Sequence, residues 1–433
     1  MQRTTALLAP AAAILCLAAM LTAGPLSPPS GPVASTYKTL TEVEPRIAVG
    51  PTTTPGDAFN LYRIAQPGSY YLTGNVSIPS NVLWGISIEA PGVTLDLNGF
   101  TLNGNGNHVG GIACSAAGVT IRNGTIRRVY ASGISFDLFP TGSPGQTIEN
   151  MRVIDVSGPG FPPGGSPGAG VAGIFAGRGA IIRNCYVNNA PLGIAAGYNS
   201  NISGCTVEFA RQVGFHLQGG ASISNCVVVG TSGGPTDGHA YFLGAGSAAS
   251  NCVARSNEGT GFVADEECTL TNCTATNNVN GFSIAARGKV HECTAASNTG
   301  TGVLVASGNQ WSVTDCALTS NSAAGVAVAV GVSHGQVSGN FIRGLSLANS
   351  VGIRIPGSTA DIAVFGNTIG LVLRGVELDG SFSRVTNNSF NQVNSGAIQT
   401  SSSGVPNSSN ILGPIVTSGG VGTATNPFSN FFQ

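Results

Sequence analysis

The sequence predicts an all-β chain, a single-stranded right-handed parallel β-helix of about a dozen coils of roughly 22 residues. Three observations carry this. Cysteines recur at Cys185, Cys205, Cys226, Cys252, Cys273, Cys293 and Cys316, with gaps of 20, 21, 26, 21, 20 and 23. Aligned on them, apolar and polar residues fall into alternating columns. The composition is 42% hydrophobic with 63 Gly and only 9% charged residues, which suits tightly turned strands better than disorder.

The columns define the rung. Eleven residues before Cys stand Ile174, Ile194, Phe215, Tyr241, Phe262 and Phe282. Three before stand Ile182, Ile202, Ile223, Ala249, Leu270 and Val290, and two after stand Val187, Val207, Val228, Ala254, Ala275, Ala295 and Leu318. Polar columns such as Thr206, Thr274 and Thr294 lie between, which is strand periodicity. Leucine-rich repeats would need Leu at several fixed positions, propellers about twice the period, and helical repeats fewer Gly and β-branched residues. Asn257, Asn278, Asn298 and Asn321, five after Cys, are expected at corners in the left-handed conformation.

From the N-terminus, residues 1–23 read as a secretory signal: Arg3, an uncharged run from Ala6 to Thr22, and a small-residue cleavage site at Leu21-Thr22-Ala23. Residues 24–35 form a Pro-rich linker, 36–80 an N-terminal cap and lead-in, 81–399 the β-helix, and 400–433 a C-terminal cap or tail. No membrane span is expected in the mature chain. The location implied is secreted, extracellular or at the cell surface, with the periplasm as the other compartment. Net charge is −1, without the basic stripe that nucleic acid requires.

Neighbouring strands ~4.8 Å apart fall within the Cα range of a disulfide, and secretion favours oxidation. The odd number of thiols, and Asn340, Asn367 and Asn388 continuing their position, favour an inward column of small stacked side chains. Zinc would need four converging ligands, and a linear row gives each thiol two neighbours. Cys114 and Cys268 lie outside the column, with Cys268 expected nearer the surface.

The "GF…I.NC.v" coils and the segment Val93-Thr94-Leu95-Asp96-Leu97-Asn98-Gly99-Phe100 resemble the pectin-lyase-like parallel β-helix repeat proteins over roughly residues 60–400. The lead-in from Pro67 to Asn75 resembles theirs too. The resemblance implies the fold, and a choice among lyases, hydrolases, epimerases, adhesins and inert stalks. The paired Asp-Asp and Gly-His-Gly of polygalacturonase-like hydrolases are missing. The function expected is therefore a secreted or cell-surface protein that binds a polysaccharide or cell-surface glycan or serves structurally. The alternative is a carbohydrate-active lyase, hydrolase or epimerase working on the exposed face.

Two charged clusters are the candidate sites. The first lies at one corner of three coils: Glu208, Arg211, Asp237, His239, Arg255 and Glu258, beside the inserted segments 157–170 and 343–351. Insertions in a solenoid gather on one face, often the binding face, although turns also collect solvated charges. The second is Asp265, Glu266 and Glu267, an acidic triple able to attract Ca²⁺, followed a coil later by Arg287, Lys289 and His291. Glu267 and Arg287 share a column and are expected to meet. His216, Phe175 and Phe242 are read as outward-facing, the two phenylalanines able to stack on sugars. Beyond the weak calcium reading no cofactor is expected.

Overall fold

The computed structural model describes residues 46–106, 109–136, 144–159, 171–345, 350–399, 411–412 and 415–418. The expected signal and linker, and most of the C-terminal tail, lie outside them. The chain winds as an all-parallel β-solenoid of about 14 turns, ~23 residues apart. Most turns carry three short strands, and on others two of them run together, as in Thr120–Val129 and Thr147–Val156. In one rung the three are β1 (Phe215–Leu217), β2 (Ser222–Ser224) and β3 (Val227–Val229), followed a turn later by β4 (Tyr241–Leu243), β5 (Ala248–Ser250) and β6 (Val253–Arg255). Each pairs with its counterpart, placing Phe215 beside Tyr241, Ile223 beside Ala249 and Val228 beside Ala254. Winding starts early: within the lead-in, Ile47–Ala48 pairs parallel with Gly68–Tyr71, and Asn60–Ile64 with Trp84–Ile88. It also persists into the tail, where Ile415–Ser418 still pairs in parallel with the preceding coil.

The inward columns fill the interior. The aromatic column stacks ring on ring, with centroids 5.2 Å apart for Phe215–Tyr241, 4.4 Å for Tyr241–Phe262 and 5.0 Å for Phe262–Phe282. Rung spacing imposes this near-parallel geometry, which free aromatic pairs adopt only when offset. The fully buried Tyr241 hydroxyl donates to the carbonyls of Cys226 (2.8 Å) and Val253 (3.1 Å).

The thiols from Cys185 to Cys316 form one interior row, all buried and unbridged. The backbone N–H of Cys185 donates to the sulfur of Cys205 at 3.4 Å, and Cys273 repeats this toward Cys293 at 3.3 Å. At the end of the row the N–H of Cys316 donates to Asn340 Oδ1 at 2.9 Å. Asn340 and Asn367 carry the same pattern onward, their N–H groups donating to Oδ1 of Asn367 and Asn388 at 3.0 Å, and their Nδ2 groups add a bond to the same oxygens at 2.9 Å. Thiol and amide are interchangeable here because both accept the N–H of the rung before.

The second asparagine column departs from expectation. Asn257, Asn278, Asn298 and Asn321 are not in the left-handed region; the residues before them are, at Ser256, Asn277, Ser297 and Ser320. The asparagines instead turn inward and are almost wholly buried. Asn298 Nδ2 donates to Asn321 Oδ1 (2.8 Å) and to the Ala275 carbonyl (3.1 Å), and its Oδ1 accepts the Asn278 N–H (2.9 Å). Corner backbone groups have no strand partner, and burying them unpaired is costly, so an inward amide satisfies them.

Asn298→Ala is expected to lower stability by about 3 kcal/mol, since it orphans several buried polar groups at once. Asn272→Gly, at an exposed left-handed corner (φ 51°), is expected to change it by no more than about 0.5 kcal/mol. Urea unfolding midpoints of the two variants check both.

Candidate functional site: a ridge of left-handed corners

The first charged cluster shares a region of the stack but does not converge. Glu208 accepts the Tyr186 hydroxyl at 2.7 Å, on the preceding coil. Arg211 reaches further back, to the carbonyls of Val156 (2.7 Å) and Gly158 (3.2 Å), and burial lowers its pKa. Arg255 is exposed two rungs beyond Glu208 on the same face. Asp237 ends a one-turn helix, α1 (Gly234–Asp237), whose first N–H is held by Glu258 at 3.0 Å. His239 Nδ1 accepts the Thr260 N–H at 3.0 Å, and burial pulls its pKa down against the opposing charge of Asp237. Glu208, Arg211, His239 and Glu258 are thus committed to bracing a loop or a neighbouring coil. The inserted segments beside it lie partly outside the described residues.

The outward aromatics also differ from expectation. Phe175 is only 2% exposed and packs in an outer cluster with Ala172, Leu192, Ala195 and Val213, so its ring is closed to sugars. His216 stacks on Phe242 at 4.8 Å and is mostly buried, which pushes its pKa down to about 4. Cys268 is fully buried, its thiol pushed up to about 11 by loss of solvent.

The second cluster belongs to a larger feature. Two residues ahead of each second strand the chain turns through the left-handed region. On the early coils this position holds Gly92, Gly118, Gly145, Gly179, Asn199, Gly220 and Gly246, with φ between 59° and 74°. Glycine and asparagine are the residues that tolerate it. From the next coil the same column holds Glu267, Arg287, Gln310, His334, Asp361 and Phe382, with φ between 53° and 63°. Side chains other than Gly or Asn thus occupy six successive corners, and all are exposed. Arg287 binds Glu267 at 2.7 Å and Glu266 at 3.1 Å, as the shared column predicts. His334 Nε2 lies 3.8 Å from Asp361 Oδ2. Between these corners runs an open groove of about 420 Å³, lined by Glu266, Arg287, Asn309, Gln310 and His334. Burial and the Glu266 charge raise the pKa of Asp265, the preceding residue in the chain.

Sequence reasoning found Glu266, Glu267 and Arg287 but missed Gln310, His334, Asp361 and Phe382. The signal was the column itself: seven Gly or Asn in a row, then none.

Among known families, the sequence matches one described as "right handed beta helix region" over residues 285–430. The chain is a right-handed parallel β-helix protein. A second family model, "periplasmic copper-binding protein (NosD)", matches residues 146–342 of this β-helix. Solved structures similar to it include the A-modules of two Azotobacter vinelandii mannuronan C-5 epimerases. One is 16% identical, with 81% of this chain and 91% of that one covered and a TM-score of 0.45. The other is 14% identical, with 83% and 90% covered and a TM-score of 0.39. A periplasmic alginate epimerase is 11% identical over 86% of this chain and 83% of its own, with a TM-score of 0.32. No curated protein matches the β-helix. No helix among its described residues is long and apolar enough to cross a membrane.

The described residues of this β-helix do not fit a copper centre. Its thiols stand in a buried line, each donating to a backbone carbonyl, as Cys226 does to Ser224 at 3.2 Å and Cys316 to Thr314 at 3.1 Å. Among the described residues no three His, Cys, Asp or Glu side chains converge as a metal would require.

Two predictions arise here. His216 has its folded pKa near 4, below the ordinary 6.5, so the unfolded chain takes up the proton first. Its contribution to stability is complete above pH ~6.5 and is lost as pH falls toward ~4, by ~3 kcal/mol. His216→Phe, which keeps the stack on Phe242, is expected to flatten the pH dependence of Tm in that window. Separately, the nine described cysteines are expected to resist a thiol reagent in the folded chain and to react on unfolding in urea.

Proposed function

We propose that this β-helix is an extracytoplasmic glycan-binding protein that takes an extended, neutral polysaccharide along the corner ridge from Glu267 to Phe382. The observation that carries the reading is the change of residue type down the left-handed column. Such positions cost of order 1 kcal/mol for a residue other than Gly, Asn or Asp. Five such residues among six successive corners make sense where the side chains themselves are needed. The ridge runs for five steps of ~4.8 Å, about 24 Å in all, a length suited to a chain of several sugars.

The chemistry fits hydroxyl groups. Arg287, Asn309, Gln310 and His334 present planar donors and acceptors, and Glu266, Glu267 and Asp361 present acceptors. The acids outnumber Arg287, so a polyanion would be repelled. Phe382, 70% exposed, offers an apolar ring face at one end, the surface against which a pyranose packs its C–H groups. A location outside the cytoplasm is supported by the signal-like segment before residue 24 and by the periplasmic description of the matched family.

Affinity electrophoresis against neutral and acidic polysaccharides tests the reading. Gln310→Gly and His334→Gly are each expected to weaken binding of a neutral polysaccharide by roughly fivefold, the loss of one or two hydrogen bonds. The same changes are expected to leave Tm unchanged or raise it, because glycine relieves the left-handed corner. Unchanged binding with lowered stability would make the ridge structural. New reducing ends or unsaturated products in the same mixtures would reassign it to catalysis.

A further inference from the structure

We infer that a second sugar site, separate from the ridge, lies on the third face of the late coils and takes a sugar residue bearing one negative group. The third strands of three successive coils are β7 (Phe341–Arg343), the start of β8 (Thr368–Leu378) and the start of β9 (Asn388–Gln399). Their register places Phe341, Thr368 and Ser389 in one outward column and Arg343, Gly370 and Asn391 in the other. Between them lies a hollow of about 300 Å³ whose walls include Phe341, Arg343, Thr368, Asn391 and Gln392.

Gly370 makes the hollow. The same column carries Asn188, Glu208, Val229, Arg255, Thr276, Ala296 and Thr319 on earlier coils. Gly370 alone among these rungs and its two neighbours lacks a side chain. Its φ is not in the left-handed region, so the turn does not demand glycine there. A Cβ at Gly370 would stand 2.8 Å from the Asn391 carbonyl and 3.7 Å from its Cβ, so any other residue would crowd the floor.

The walls supply three kinds of contact. Phe341 is 49% exposed beside the hollow and offers a ring face. Arg343 is exposed and has no carboxylate within salt-bridge distance among the described residues. This sets it apart from Arg287, Arg354 and Arg374, each paired with a glutamate. An uncompensated guanidinium is a fork for a planar oxyanion. The amides of Asn391 and Gln392 face it from the far side, two rungs or about 10 Å away, a span that one pyranose ring and its substituents fill. An apolar ring face, one anionic group and flanking hydroxyls together describe an acidic sugar. Its charge preference is opposite to that of the acidic ridge.

The test uses the full chain and a matched pair of probes: cellotetraose, and the same tetrasaccharide with its C6 positions oxidised to carboxylates. Titration calorimetry is expected to show the oxidised probe binding, about tenfold tighter than the neutral one at this site, and weakening as salt rises. Arg343→Gln is expected to remove that preference, and Phe341→Ala to weaken both probes. Gly370→Ala is expected to abolish binding; should it disturb folding, Arg343→Gln, an exposed change, decides alone. Gln310→Gly on the ridge is expected to leave binding of the oxidised probe intact, so this site and the ridge stand or fall separately. Equal affinity for both probes, or an Arg343→Gln variant that still prefers the oxidised one, would overturn the inference.

Discussion

Backbone hydrogen bonds between parallel strands hold neighbouring coils ~4.8 Å apart, and nearly every other feature of this protein answers to that spacing. It forces Phe215, Tyr241, Phe262 and Phe282 into face-on stacks. It brings each cysteine sulfur within reach of the N–H one rung earlier. It repeats a single corner conformation coil after coil, so one column of the sequence becomes one line in space. Chemistry placed on such a line is automatically arrayed.

Inside the stack, polar groups obey the same rule. The corners break strand pairing, and the freed backbone groups are met by side chains that repeat with the coil: asparagine in one column, thiol and then asparagine in another. This explains why Asn298 is buried while Asn272, which resembles it in sequence, stands in solvent. One supplies hydrogen bonds to a buried corner, and the other turns the chain, its exposed Nδ2 donating to Asn251 Oδ1 at 2.6 Å. The unbridged thiols fit the same account, since each already donates to the backbone carbonyl two residues earlier in its own coil.

The periodic part of this molecule was legible from the sequence. Column spacing located the strands, the inward thiol row and the meeting of Arg287 with Glu267. Reach and direction were not legible. Register put Glu208, Arg211 and Asp237 near one corner, but it does not reveal that Arg211 extends backward to Val156 and Gly158. Spacing alone assigned the turn to Asn257 and its equivalents, because asparagine suits both a left-handed corner and a buried ladder; the turn belongs one residue earlier. His216 and Phe175 alternate outward as expected, yet packing on the outer face buries Phe175 and covers much of His216. The ridge was hidden for a different reason. Its residues share no chemical type, only a backbone angle, and that angle becomes visible when the glycines of the earlier coils are aligned with them.

The hand-over from Cys316 to Asn340 has an evolutionary consequence. Either residue completes the bond offered by the rung before, so adjacent coils need not match in composition, only in phase. A whole turn can then be duplicated or lost without disturbing what lies above or below. Length becomes a heritable variable, adjustable in units of one coil, and any surface line of side chains lengthens or shortens with it.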